Sequence, residues 1–426
     1  MLKKLKLQDI KDLIPGKRIF VRTDFNTPIK NGKVSNNTRI VETLPTIQKI
    51  LESSPKGLVL ASHLGRPDGL PKHEFSMLPV HSELEKLLGT KVKFVRDCVG
   101  EEALTASHEL RNGEILLLEN LRFHGEEEGS LINEAGAKVK LPADKIAKFR
   151  NELTQLGDLY VNDAFGTSHR AHSSIVGINL PIRVGGLLMQ KELDFFGKAL
   201  ENPEKPVVIV LGGAKVGDKL PLIKNLLTLA NEIIIGGGMA FTFIKDFMQI
   251  NIGDSLYDAE AGKEVMNIMN EAEKRGVKIH LPVDFICGKK LNDSDDVTVE
   301  RKISQGIEPG WKGFDIGSQS IRNFEEVLRR GKTIISNGPM GAFEDERFAA
   351  GSKSIIEELV KATKERNALT IVGGGDTVNL VSKIKGAKEN ISHISTGGGA
   401  SIELLEGKKL PGVVYLTDID EFKKNN

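Results

Sequence analysis

Cysteine is nearly absent from this 426-residue chain, in which Cys98 and Cys287 stand far apart and outside any CxxC spacing. No disulfide framework or thiolate zinc site can be built from that pair, and a reducing, cytoplasmic compartment is expected. Net charge is lacking too: 59 Lys+Arg against 58 Asp+Glu leave +1, whereas a general binder of nucleic acid or acidic membrane is strongly basic. No apolar run approaches the ~18 residues of a membrane span. Charges interrupt the opening MLKKLKLQDIKDL, which is not expected to be a signal peptide, and the ending EFKKNN carries no retention or peroxisomal tripeptide. Proline, at 16, is too scarce for a low-complexity chain, and 39% hydrophobic with 27% charged residues are globular values. At about 100–200 residues per domain, the length allows two or three domains.

Glycine is abundant: 44 residues, about a tenth of the chain against a usual ~7%. Much of it falls in one repeated pattern in the second half. VVIVLGGAK (207–215), EIIIGGGMA (232–240), TIISNGPMG (333–341), LTIVGGGDT (369–377) and HISTGGGAS (393–401) each pass from a short apolar stretch into glycine. Helix-like sequence follows most of them, as at Leu220–Leu229, Ala240–Phe247 and Thr377–Ile384. Strand, glycine turn and helix in that order predict βα units of a parallel sheet. The first half has the same skeleton in RIFVRTDFN (18–26), LVLASHLGR (58–66), ILLLENLRF (115–123) and LYVNDAFG (159–166), ending in charged and amide residues. The fold class expected is therefore α/β, with two parallel sheets flanked by helices. The join is placed between Gly185 and Pro206, across a helix over Leu187–Leu200, and NDSDD (292–296) is read as a polar loop.

Open parallel sheets bind ligands beyond the carboxyl ends of their strands. In the first half those ends supply Arg22, Asp24, Asn26, His63, Arg66, Arg122 and Asn162, with Arg39, His169, Arg170 and His172 close behind. One arginine alone is best read as a surface salt bridge. Five at strand-end loops point to a small, strongly anionic ligand, because guanidinium forks match phosphate and carboxylate oxygens. His63, His169 and His172 as a metal triad is the weaker reading, since arginines beside them repel cations. In the second half, glycine turns before helices let backbone amides approach phosphates. GGAKVGDK (212–219) adds Lys215 and Lys219, on one face if the segment is already helical. Asp376 at the start of a helix reads as an N-cap in isolation, and as a Mg²⁺ ligand beside a phosphate-binding turn. A Walker A loop before GKT (331–333) is excluded by Glu326, and no GxGxxG with a distal acidic residue is present. An anion half and a nucleotide–metal half point to phosphoryl transfer, with no compelling general base. A ligase or dehydrogenase leaves the arginines unexplained, and a non-catalytic nucleotide binder leaves the full charged set unexplained.

RTDFNTP (22–28), SHLGRP (62–67), LLENLRFH (117–124), VNDAFGTSHRAHSS (161–174), GGAKVGDK, GWKGFDIG (310–317), SNGPMGAFE (336–344), GGGDT (373–377) and STGGGASIELLEGKKLPGV (395–413) together resemble the phosphoglycerate kinase family, in family order over nearly the whole chain. The stretch GEEEGSLINEAGAKVKLP resembles eukaryotic-type members. The resemblance implies reversible phosphoryl transfer between 1,3-bisphosphoglycerate and ADP, yielding 3-phosphoglycerate and Mg·ATP, in a monomer whose two Rossmann-like lobes close about a hinge. It implies lobes at 1–186 and 205–406, an interdomain helix and linker at 187–204, and a tail, 407–426, returning to the first lobe.

By the same resemblance, Asp24, Phe25, Asn26, Arg39, His63, Leu64, Gly65, Arg66, Arg122, His169 and Arg170 hold the phosphoglycerate. Gly213, Ala214, Lys215, Lys219, Asn337, Gly373, Gly374, Gly375, Asp376 and Thr377 meet the nucleotide, Glu344 its ribose, and Gly236, Gly237, Gly238 and Gly313 its adenine. Arg39, Lys215, Lys219, Gly375 and Gly398 are the residues implied in catalysis, and Asp376 is the Mg²⁺ ligand. Thr23, Thr27, Ser168, Ala342 and GSKS (351–354) depart from the family pattern, and none of these removes a charged site residue.

Overall fold

The structure, a computed structural model, describes residues 3–293 and 295–425, so Ser294 of the expected polar loop lies outside it. It divides into two compact units: the N-terminal stretch through Asp194 together with the chain from Lys409 onward, and Phe195–Lys408. The division falls inside the helix Leu187–Leu200, whose limits are those expected from the sequence.

The first unit is built on six parallel strands: β1 (Arg18–Arg22), β2 (Gly57–Ala61), β3 (Val92–Phe94), β4 (Glu114–Leu117), β5 (Leu159–Asn162) and β6 (Arg183–Gly185), in the order β6-β5-β1-β2-β4-β3. The second repeats the plan with β7 (Val207–Leu211), β8 (Glu232–Ile235), β9 (Lys278–His280), β10 (Thr333–Asn337), β11 (Leu369–Gly373) and β12 (His393–Ile394), in the order β9-β8-β7-β10-β11-β12. Every residue of β1, β2, β7 and β10 is buried, as expected of parallel strands covered by helices on both faces. In the first unit Val21, Leu58, Leu60 and Leu117 pack in one layer of core, and Phe20, Val59, Leu116 and Tyr160 in another.

Three three-residue strands, β3, β6 and β9, are too short to show a period and went unmarked in the sequence. The second unit also carries an antiparallel sheet of Val299–Lys302, Asp284–Gly288 and Lys312–Ile316, which the parallel pattern did not anticipate. Helices begin and end within a few residues of expectation: Leu220–Leu226, Ala240–Phe247 and Gly375–Lys383. The tail buries Leu410, Val413 and Leu416 in the first unit. There the Lys4 ammonium donates to the carbonyls of Val414 (2.8 Å) and Leu416 (2.7 Å).

Candidate active site

In the first unit β1 and β5 are neighbours, yet the chain leaves β1 for β2 on one side and β5 for β6 on the other. Loops that diverge in this way open a crevice at the carboxyl ends of the two strands. Asp24, Phe25 and Asn26 follow β1 there, and His169, Arg170 and His172 follow β5. Asp24, almost fully buried, pairs with the Arg39 guanidinium, which stands at the start of the helix Thr38–Leu51. The Asn26 Oδ1 accepts from the Gly65 amide at 2.9 Å, and Arg122 donates to the Gly65 carbonyl at 2.9 Å, so the loops after β1, β2 and β4 are tied together. Gly65 sits at φ +62°, and a Cβ there would lie 2.3 Å from the Phe75 ring, which restricts the position to glycine. Phe25 is buried and its amide donates to the Ser62 hydroxyl at 2.8 Å. Asn120 fixes Leu64 by accepting from its amide (3.2 Å) and donating to its carbonyl (2.7 Å).

The structure corrects the reading of Arg22 as a ligand-facing group. Arg22 is fully buried, donates from Nε to the Ser174 hydroxyl at 2.7 Å, and lies 3.8 Å from the Glu127 carboxylate. Glu127 in turn accepts from the Ser174 amide (2.9 Å) and hydroxyl (2.6 Å). None of the three glutamates of the GEEEG run was picked out from sequence, yet Glu127 and Glu128 lie 3.9 and 3.7 Å from the two nitrogens of His172. Burial, reinforced by Arg122, Arg22 and Arg39, holds His63 well below the usual histidine range. Burial and then Arg122 push His172 down to about 4, with Glu128 opposing. Both imidazoles are therefore neutral at pH 7, and the positive charge resides on guanidiniums. Arg66 and Arg170 are exposed and have no ion-pair partner among the described residues. His63, His169 and His172 do not gather as a metal triad.

The second unit has its own divergence, where β7 leads to β8 and the neighbouring β10 leads to β11 on the opposite side. The Lys219 ammonium sits at this point, donating to the carbonyls of Gly212 (2.5 Å) and Asn337 (3.0 Å) and to the Asn337 Oδ1 (3.0 Å). Burial lowers its pKa to about 8, with Asp376 opposing. Because the helical conformation begins only at Gly217, Lys215 lies in the exposed turn and the two lysines do not share a helix face. Asn337 is 3% exposed, and its Nδ2 has no hydrogen-bond partner among the described residues. That amide would lie 3.3 Å from a Cβ at Gly374, whose φ of +89° starts the helix Gly375–Lys383. Gly374, not Asp376, is the N-cap, and Asp376 is exposed in the first turn. Thr377 is buried, and its hydroxyl accepts from the Gly338 amide at 2.8 Å.

Close backbone packing explains the glycines after β7 and β8. A Cβ at Gly237 would stand 2.6 Å from the Gly213 amide nitrogen and 2.7 Å from the Pro339 carbonyl. Gly238 faces Leu256, exposed and missed in the sequence, and Gly313 lies against the Phe241 ring. Ala214 and Glu344 are exposed beyond the turns after β7 and β10. Gly398, at φ +50°, begins the helix Gly399–Leu405.

Exposed Arg66 and Arg170 in one unit, and a lysine with an unpartnered amide among glycine turns in the other, fit the class of phosphotransferases. The family model described as "Phosphoglycerate kinase" matches residues 7–408. Proteins named phosphoglycerate kinase from Tetrahymena thermophila and Euplotes crassus are 53% and 52% identical over 419 residues, covering 98% of this chain and 99% of each relative. The solved structure of phosphoglycerate kinase from Coxiella burnetii superposes with a TM-score of 0.84 at 34% identity, covering 97% of this chain and 98% of that one. The chain belongs to the phosphoglycerate kinase family.

Proposed function

We propose that the two strand-end sites divide the family's reaction between them: the first unit holds 3-phosphoglycerate or 1,3-bisphosphoglycerate, and the second holds ADP or ATP with Mg²⁺. The observation that carries this reading is the group formed by Lys219, Asn337 and Thr377 at the divergence of β7 and β10. It presents a half-buried ammonium and an unpartnered amide beside a helix N-terminus, the donor set a polyphosphate requires.

In the direction of ATP use, a carboxylate oxygen of 3-phosphoglycerate forms a bond to the γ-phosphorus as the bond from that phosphorus to the β-bridging oxygen breaks, and ADP leaves with the electron pair. The carboxylate is ionised at neutral pH, so no general base is needed, and burial makes His63 and His172 weak proton acceptors. The remaining task is positioning and neutralising charge. Arg39, steadied by Asp24, serves the transferring group from the first unit, while Lys219 serves it from the second. Arg66, Arg122 and Arg170, with His63 and His169, orient the phosphoglycerate; Asn26, Leu64 and Gly65 shape its loop. Lys215 and the amides of Gly213, Ala214 and Gly373–Gly375 hold nucleotide phosphates. Glu344 takes the ribose hydroxyls, and Gly237, Gly238 and Gly313 flank the base against Leu256 and Phe241.

The donor set at Asp376 suits Mg²⁺, which favours one carboxylate completed by phosphate oxygens and water. Bound there, the ion would supply charge neutralisation to the nucleotide phosphates. Gly398 begins a second helix whose amides serve the same charge. Transfer needs both ligands to meet away from water, so hinge closure of a cytoplasmic monomer belongs to this reading. The test is ADP release from the purified chain: it should require 3-phosphoglycerate and Mg·ATP together. Equal release without 3-phosphoglycerate would refute the proposal.

A further inference from the structure

The first unit holds a cluster that phosphoryl transfer does not use. Asp97 and Cys98 lie between β3 and the helix Gly100–His108, and His124 lies just after the turn Leu121–Phe123. One ligating atom of each, a carboxylate oxygen, Sγ and an imidazole nitrogen, falls within 4.8 Å of the other two, the one such group among the described residues. We propose that Asp97, Cys98 and His124 form a binding site for a borderline-soft divalent cation of the Zn²⁺ type, distinct from the Mg²⁺ of the nucleotide.

Cys98 and Cys287 cannot together build a thiolate zinc site, but a site of one thiolate with two other ligands needs only Cys98. An ion bonded at about 2.3 Å to sulfur and about 2.1 Å to nitrogen and oxygen holds tetrahedral ligand pairs about 3.5 Å apart. The widest pair here therefore needs to close by little more than about 1 Å. His124 Nε2 already lies 2.7 Å from Asp97 Oδ1, so two of the ligands face one another. Cys98 is almost fully buried, whereas the side chains of Asp97 and His124 are 48% and 29% exposed, so two of the three ligands are reached by solvent. The charges acting most strongly on Cys98 are those of Asp97, Glu127 and Glu119, all negative. A thiolate and an imidazole select against Mg²⁺ and Ca²⁺, which take oxygen ligands. On binding, the S–H bond breaks, its proton passes to buffer and sulfur keeps the pair it donates to the metal. His124 Nε2 also gives up the hydrogen it donates to Asp97, the proton passing through solvent to Nδ1 or, from the imidazolium, to buffer, and the freed Nε2 lone pair binds the metal.

His124 also links this cluster to the anion site, a consequence that rests on the proposed function. It stands two residues after Arg122, and its carbonyl accepts from the Glu127 amide at 3.1 Å. Drawing His124 toward Cys98 displaces the turn that aims Arg122, so an occupied site weakens phosphoglycerate binding.

Titration of the full chain with Co²⁺ tests binding without reference to activity, because thiolate-bound cobalt gives an intense near-ultraviolet charge-transfer band. We expect a one-to-one band in the wild type and in Cys287→Ser, and none in Cys98→Ser. His124→Gln, a second variant that leaves the buried thiol in place, should bind at least about tenfold more weakly, and Zn²⁺ should displace the cobalt. Absence of the band in wild type, or its persistence in Cys98→Ser, overturns the site. With the band in place, an unchanged KM for 3-phosphoglycerate on adding Zn²⁺ at saturating Mg·ATP overturns the link to Arg122 and leaves the binding site standing.

Discussion

Lys219 carries its charge where burial opposes it, and under the proposed role its protonation becomes part of the chemistry. Its pKa lies near 8, lowered from 10.5 by desolvation, so the free protein loses the ammonium as pH rises through about 8. The kcat/KM for ATP should therefore fall above pH 8, and Lys219→Arg should move that limb beyond pH 10, since guanidinium stays charged. A profile flat to pH 9.5 in the wild type contradicts the assignment. Asp376, exposed and not a cap, makes no hydrogen bond or ion pair among the described residues. Asp376→Ala should therefore leave the melting temperature nearly unchanged while nucleotide affinity loses most of its dependence on Mg²⁺. An unaltered Mg²⁺ titration argues against that role. The charged residues were legible in the sequence because strand ends are where parallel sheets expose function. Arg22 misled, because position at a strand end does not say which way a side chain turns, and its buried partner Glu127 lies 105 positions away in a run that looks like solvated surface.

Short elements carry more of the anion site than their length suggests. The four-residue helix Gly125–Glu128 sends Glu127 into the interior, where it meets Arg22 and Ser174. Removing one member of a buried ion pair costs about 3–5 kcal/mol, because the other charge is left uncompensated. Glu127→Ala should thus lower the unfolding midpoint of the first unit by on the order of 10 °C, read by calorimetry, with Arg22→Met in the same background recovering part of the loss. No recovery would mean that the pair is not what the helix contributes. The long strands and their following helices were legible from β-branched runs ending in glycine. The strands β3, β6 and β9 were not, because three residues cannot show a period, and the antiparallel sheet around Asp284–Gly288 was not, because its pairing is set by partners distant in the chain.

At the scale of the molecule, the fold was legible because the same βα pattern occurs twice with different chemistry at the strand ends. Glycine runs mark the strand ends of the second unit, and Arg39, Arg66, Arg122 and Arg170 follow the strand ends of the first, a division that the near-neutral net charge conceals. The first unit is completed by the chain from Lys409 onward, which buries Leu410, Val413 and Leu416 and receives Lys4. Truncation after Lys408 should destabilise that unit while leaving hydrogen-exchange protection of β7 and β10 intact, whereas uniform loss of protection would show that the two units do not behave separately. The central proposal is that phosphoryl transfer requires both Arg39 in the first unit and Lys219 in the second. Its most direct test is the turnover of Arg39→Ala and of Lys219→Ala, followed as ADP release at saturating 3-phosphoglycerate and Mg·ATP. Loss of a charge clamp in phosphoryl transfer lowers turnover by roughly 10³-fold or more, and that loss is predicted for each variant. Near-wild-type turnover in both would contradict the account.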